Sequence, residues 1–201
     1  MSGSKHYRTS PCGASGCESA ALTGAARCWE HLEDRAAYLE ALDVSALARA
    51  HLSGIDLSDR DLSGVDLSEA NLSATNLSGA NLTGADLRRC RMDEANLAGA
   101  DFSGANMEFA VLGAADVSRA NFSGCNLQQA NLVGTKGHNA DFNNADMYYA
   151  RPGCADLQGA TFDGANIQRT IFRRANLANA DLSGADGKAN FDRANLEGAK
   201  Q

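Results

Sequence analysis

The sequence predicts an all-β solenoid, and three observations predict it. From Leu52 to Leu182 one position in five is apolar without a break in frame, through 27 consecutive units in which only Gly137 and Pro152 depart. Two residues before each apolar centre stands a small one, alanine in 19 of the 27, with Cys90 and Cys125 in the same slot. The pair after each centre is commonly Ser-Gly, as in Ser63-Gly64, Ser103-Gly104 and Ser183-Gly184. A period of five fits neither a helix of roughly 3.6 residues per turn nor a strand of about 2. The unit is therefore a short extended piece plus a corner. Residues two apart in an extended piece share a face, so Ala95 and Leu97 point inward and Asn96 outward. Ser-Gly then suits the tight turn.

The tandem A-(D/N)-L-x-x units, as in Ala70-Asn71-Leu72 and Ala180-Asp181-Leu182, resemble the pentapeptide-repeat family. The resemblance implies a right-handed quadrilateral β-helix with four units per coil, here about seven coils. On that frame, residues twenty apart stack, and Leu62, Leu82, Phe102, Phe122, Phe142, Phe162 and Leu182 form one inward column. Leu182 to Phe191 is nine residues instead of ten, so Asp186-Gly187-Lys188 marks a slip of frame. Gly137 and Pro152 mark weak corners, and Gly137-His138-Asn139 is expected to bulge.

Three parts follow: an N-terminal segment 1–31, a capping helix over 32–49 and the repeat region 50–201. In the first, Cys12, Cys17, Cys28 and His31 lie within twenty residues. Three thiolates and an imidazole make a closed tetrahedral set, the form of a structural zinc site; the segment is similar to short CCCH zinc knuckles that precede pentapeptide repeats in some bacterial proteins. The alternative is three unrelated thiols and a surface histidine. Leu32, Ala36, Leu39 and Leu42, with Leu47, form an apolar stripe. Such a helix covers the open end of a solenoid, which otherwise exposes core and strand edges; Trp29 and Tyr38 are expected at the junction.

A net charge of −7 gives no basic excess for direct nucleic-acid binding. No stretch of 18 apolar residues and no signal-peptide core is present, so the expectation is a soluble, cytoplasmic chain without membrane contact. Nothing in the repeats pairs a serine with a histidine and carboxylate at catalytic spacing, and the glycines are corner residues. The chain is read as non-enzymatic.

Sorting outward residues by column predicts an electrically two-sided rod. The Leu62 column carries Asp61, Asp101, Asp141 and Asp181, with Asp163 at a corner, and no outward base. The Leu52 column carries Arg91, Arg151, Arg173 and Arg174 against Asp93 and Glu94. Two functions compete. One is a protein-interaction scaffold, with exposed Phe109, Tyr148 and Tyr149 as anchors. The other, implied by the resemblance, is a DNA mimic that binds DNA gyrase or another type II topoisomerase and protects it from poisons. Magnitude weighs against the second for the rod as a whole: B-DNA of about 30 Å carries roughly 18 phosphates, whereas the repeats hold 19 acids and 13 bases. A homodimer through the C-terminal coil around Phe191 and Leu196 is also expected. The outward residues read as solvated surface, so Asn121→Ala is expected to be nearly silent.

Overall fold

The computed structural model describes residues 10–201; the first nine residues of the N-terminal segment lie outside the described residues. From His51 onward, the residue before each apolar centre bridges in parallel to the one twenty further along: His51 to Asn71, Asp56 to Asn76, Asp61 to Asn81, Asp66 to Asp86. Five-residue units that close in twenty residues give four sides. On each side Leu57 N–H donates to the Asn76 carbonyl (2.7 Å) and Asn76 N–H to the Ile55 carbonyl (2.9 Å), and the pattern repeats along the rod. Each pairing is one residue wide, and no longer strand forms among the described residues, because a corner interrupts the ladder after every pair.

The inward slots are filled as the periodicity requires. The apolar centres and the small residues two before them are buried, most of them completely. Phe102, Phe122, Phe142 and Phe162 stack at centroid spacings of 5.0, 5.0 and 5.2 Å with interplanar angles of 3°, 3° and 6°. That spacing matches the distance between neighbouring strands, so one ring per coil fills its layer. Where threonine takes the small slot, its hydroxyl is satisfied: Thr75 Oγ1 donates to the Leu52 carbonyl and Thr170 Oγ1 to the Met147 carbonyl.

At every corner of the rod except Gly184 the residue two after the centre has positive φ, as the third position of a type II turn requires. Glycine is not the rule there. Eighteen non-glycine residues among those described have positive φ.

Three irregularities have physical causes. Pro152 has no N–H to give, and the Arg151 to Ile171 bridge is the one missing between His51 and Lys200. Gly137 does not bulge, contrary to expectation. It keeps its ladder bond to the Asp156 carbonyl (2.7 Å), and Leu157 Cδ2 and Val117 Cγ2 lie 2.7 and 3.0 Å from where its Cβ would stand. Neighbouring coils thus fill the space of the absent side chain. At the frame slip, Gly187 (φ 104°) passes so close to Gln168 that a Cβ would sit 2.7 Å from its backbone. Beyond it the pairing interval becomes nineteen: Ile171 to Asn190, Asn176 to Asn195, Asp181 to Lys200.

The expected helix over 32–49 is corrected. Helix α1 spans Arg35–Ala41, capped by Asp34, whose side chain accepts from Ala37 N–H. At Asp43 the carboxylate instead accepts from Ser45 N–H and starts a separate short turn, Val44–Ala46, an alternative that competes with helix continuation. Helix α1 has no buried residue. The end of the rod is closed chiefly by Leu22 and Leu47, which are 3% and 1% exposed, with Trp29, Leu32, Tyr38, Leu39 and Leu42 packed around them.

Candidate functional sites

The N-terminal cluster is built by a hairpin. Pro11 bridges Ala20, Cys12 N–H donates to the Ser19 carbonyl, and Gly16 (φ 75°) allows the turn between them. Gly13 N–H donates to the Ala26 carbonyl, drawing in the segment before Cys28. Cys28 caps the turn Trp29–His31, which projects His31 back toward the thiols. One ligand atom from each of Cys12, Cys17, Cys28 and His31 lies within 4.8 Å of all the others. Cys17 and Cys28 sulfurs are 3.8 Å apart, and His31 Nδ1 is 3.2 Å from Cys28 Sγ and 3.7 Å from Cys12 Sγ. A tetrahedral ion with metal–sulfur bonds of about 2.3 Å needs sulfur–sulfur edges of about 3.8 Å, so the set fits one ion. Cys28 N–H and the Ala14 backbone stabilise the Cys12 thiolate, bringing its pKa down to about 6, while burial pushes Cys28 up.

The cluster is tied to the rod. Thr23 N–H donates to the His51 carbonyl (2.9 Å), His51 N–H to Thr23 Oγ1 (2.6 Å) and Tyr38 hydroxyl to the Thr23 carbonyl (3.0 Å). Thr23 thereby continues the ladder one step beyond the first coil.

The acidic face is more constrained than its sequence suggests. Asp61 Oδ1 accepts from Ser63 N–H and from the Asn81 amide of the next coil; Asp101 does the same with Ser103 and Asn121. Asp141 accepts from Asn143 N–H and Thr161 Oγ1. The outward slot is therefore a hydrogen-bonded ladder, half-buried along much of its length, and Asn121 is not free surface. Hydrogen bonds from the Ser63 side chain and N–H hold Asp61 below the usual carboxylate range. The column also ends on a base. After the one-residue slip Lys200 lies beside Asp181, with Nζ 2.9 Å from Oδ2, and with the Ser183 hydroxyl it brings Asp181 down to about 2. Counting by twenty misses that pair, because the interval there is nineteen. Asp163 is exposed at its corner, its N–H donating to Asn143.

The three aromatics expected as anchors occur together. Phe109 and Tyr149 are 37% and 39% exposed on one corner edge, and Tyr148 meets Tyr149 edge-on at 4.7 Å. Two residues not singled out from sequence accompany them: the Arg89 guanidinium lies 5.1 Å over the Phe109 ring, and that of Arg169 5.1 Å over Tyr149, whose hydroxyl accepts from it. Their signal is positional. Both stand twenty residues from an aromatic in the corner slot where the edge beside the acidic face carries mostly glycine. A large side chain in the left-handed region costs of order 1–2 kcal/mol, so this edge is maintained against a steady conformational penalty. His138 pairs with Asp156 (2.7 Å) on another face, where His138 is exposed and Asp156 half-buried. Cys90 and Cys125 are buried, with burial raising both thiols, and Cys154 is exposed. Among the described residues no helix is long and apolar enough to cross a membrane.

The family described as pentapeptide repeats (8 copies) matches residues 50–89, 80–119, 90–129, 115–151 and 154–186. No curated protein matches the sequence. Among solved structures, HetL, a pentapeptide repeat protein involved in heterocyst differentiation regulation from the cyanobacterium Nostoc, is 27% identical, with 81% of this chain and 91% of that one covered at a TM-score of 0.49. Trypsin-treated QnrB1, a plasmid-mediated fluoroquinolone resistance protein, is 19% identical, covering 75% and 88% at 0.43. Rfr23 from the cyanobacterium Cyanothece is 24% identical, covering 75% and 82% at 0.25.

Proposed function

We propose, from the premise that this chain belongs to the pentapeptide-repeat family, that it is a non-enzymatic interaction scaffold whose N-terminal end is locked by a structural zinc ion. The observation that carries the scaffold reading is the pair Phe109 and Tyr149, held outward on one edge of a rod whose Phe102, Phe122, Phe142 and Phe162 rings stack inside. Exposed aromatics on a rigid backbone are typical anchors for a protein partner. The reading is tested by capturing partners from the native host on the wild-type chain and on a Phe109→Gly, Tyr149→Gly variant. A partner held by the first and lost by the second supports it; identical partner sets contradict it.

Zinc is supported by the chemistry of the donor set: borderline-soft sulfur and nitrogen in a closed tetrahedral arrangement with no open position. Cys12, Cys17, Cys28 and His31 would hold the ion, which would supply a cross-link between the hairpin and the turn before α1, not a reaction centre. A second reading, a DNA-mimicking binder of gyrase or a related type II topoisomerase, is favoured by one observation, the exposed carboxylates at Asp61 and Asp163, which form no ion pair among the described residues, beside Asp101 and Asp141. Lys200 at Asp181 and the intervening Asn81 and Asn121 dilute that face. Gyrase supercoiling, with and without poison, is expected to be unaffected by micromolar protein; protection would establish the mimic. The partly buried apolar surface around Phe191 and Leu196 is where a homodimer would form, and light scattering at high concentration tests it.

A further inference from the structure

One corner edge of the rod is built against its own backbone preference. The positions Arg49, Glu69, Arg89, Phe109, Gln129, Tyr149 and Arg169 succeed one another coil by coil, and all have φ between 56° and 63°. On the edge beside the acidic face the same turn position holds Gly64, Gly84, Gly104, Gly124 and Gly164, with Asn144 among them. The backbone is the same on both edges, so the fold does not demand large side chains on the first. Within that edge the order Arg89, Phe109, Gln129, Tyr149, Arg169 places a cation at each end, an aromatic inside each cation and an amide in the centre. Arg49 is paired with Glu69. Arg89 and Arg169 rest on rings instead, and neither has a carboxylate within 4.0 Å among the described residues.

We propose that this five-residue edge is the docking site for an extended acidic segment of a protein partner, whose carboxylates engage Arg89 and Arg169 while its apolar side chains lie over Phe109 and Tyr149. The inference rests on the scaffold reading and adds the edge and the partner's chemistry to it. Charge chooses the occupant. A second copy laid antiparallel about Gln129 would set Arg89 against Arg169 of its mate, like charge against like. A nucleic acid would carry one phosphate every few ångströms past Asp66, Asp86 and Asp146, which line the adjoining face. A peptide places carboxylates only where its sequence puts them. The two arginines stand four coils apart, roughly 19 Å at strand spacing, which an extended peptide covers in about six residues. Resting on a ring leaves the Arg89 N–H fork free at its edges for a carboxylate, and Arg169, which gives one N–H to the Tyr149 hydroxyl, keeps its others.

The test is to pan a random 15-residue peptide library displayed on phage against the full chain, then measure the recovered peptides by fluorescence anisotropy. Three variants are compared with wild type: Arg89→Glu with Arg169→Glu, Phe109→Gly with Tyr149→Gly, and a control, Ala74→Gly with Ala114→Gly, which relieves the same positive φ on another edge. Recovered peptides are expected to be net acidic, to lose affinity about thirtyfold or more in each of the first two variants and to bind the control unchanged. All variants are expected to melt with wild type or above it. Recovery of basic or uncharged peptides, of none, or of peptides that bind all variants equally would overturn the proposal. So would an RNA homopolymer that binds the wild type and loses to the charge reversal. Equal binding to all variants alongside a host partner captured elsewhere on the rod would leave the scaffold reading standing and remove only this edge.

Discussion

Two edges of the same rod, identical in backbone, are filled in opposite ways. Beside the acidic face the corner residues from Gly64 to Gly164 are glycines at φ near 65°, Asn144 apart; on the edge from Arg49 to Arg169 they are large side chains at nearly the same φ. The difference shows that the coil imposes its corner conformation whatever residue occupies it. The inward slots and the ladder supply the free energy that holds a phenylalanine or tyrosine in the left-handed region. Corner residues are thereby released from a structural role, and a run of costly ones is evidence of another.

That comparison presumes one shared core, and the largest expected effects are changes that break it. Ala120 is buried completely, so Ala120→Asp buries an unpaired carboxylate and is expected to prevent folding, seen as loss of a cooperative melt. Phe122→Ala removes one ring from the stack between Phe102 and Phe142 and is expected to cost about 3–5 kcal/mol in chemical denaturation. Both edges should suffer equally.

Metal removal should separate the cap from the rod. Metal analysis of protein purified without a histidine tag is expected to give about one zinc per chain. Chelation should increase hydrogen exchange at Cys12–His31 and at Thr23, whose bonds to His51 tie the cap down, while Phe102–Phe162 stay protected. Unchanged exchange after complete chelation would exclude the structural role.

Smaller effects sharpen the contrast between the edges. Asn121→Ala removes the bond to Asp101 and the acceptor for Ser123 N–H and is expected to cost ~1 kcal/mol where a solvated side chain would cost nothing. Asp61 and Asp181 have carboxyls held below their unfolded value. Their contribution is therefore complete above the ordinary carboxylate pKa and is lost as the pH falls through their lowered values, for Asp181 toward about 2. Acid titration of stability should show that loss, and Asp181→Asn should reduce it. Smallest is Gln129→Gly, expected to raise stability by up to ~1 kcal/mol, since relief of its positive φ outweighs the added freedom of the unfolded chain.

Much of this was legible in the residues. The five-residue period gave the coil, the inward slots, the phenylalanine column and the frame slip. The four candidate metal ligands were legible because they cluster in sequence, and the fold brings their ligand atoms within 4.8 Å of one another. What escaped reading depended on contacts between coils. Asn121 alternates with aspartate, which resembles indifferent surface until its amide is seen to reach the carboxylate twenty residues back. Lys200 seems remote from Asp181 until the slip shortens the interval. The helix was read too long because the apolar stripe through Leu42 and Leu47 continues while Asp43 turns the backbone aside. Arg89 and Arg169 stand twenty residues from the rings they cover, so their contacts with Phe109 and Tyr149 emerge only when the coils stack.

The claim that function resides on the large-residue edge is tested most directly by a photo-cross-linking residue placed singly at Phe109, Tyr149, Thr83 and Ser123 in the native host. The first two lie on the aromatic edge and the last two on the acidic face. The account predicts one protein adduct shared by the Phe109 and Tyr149 positions and none from Thr83 or Ser123. An adduct from the acidic face alone, or none from any position, would contradict it.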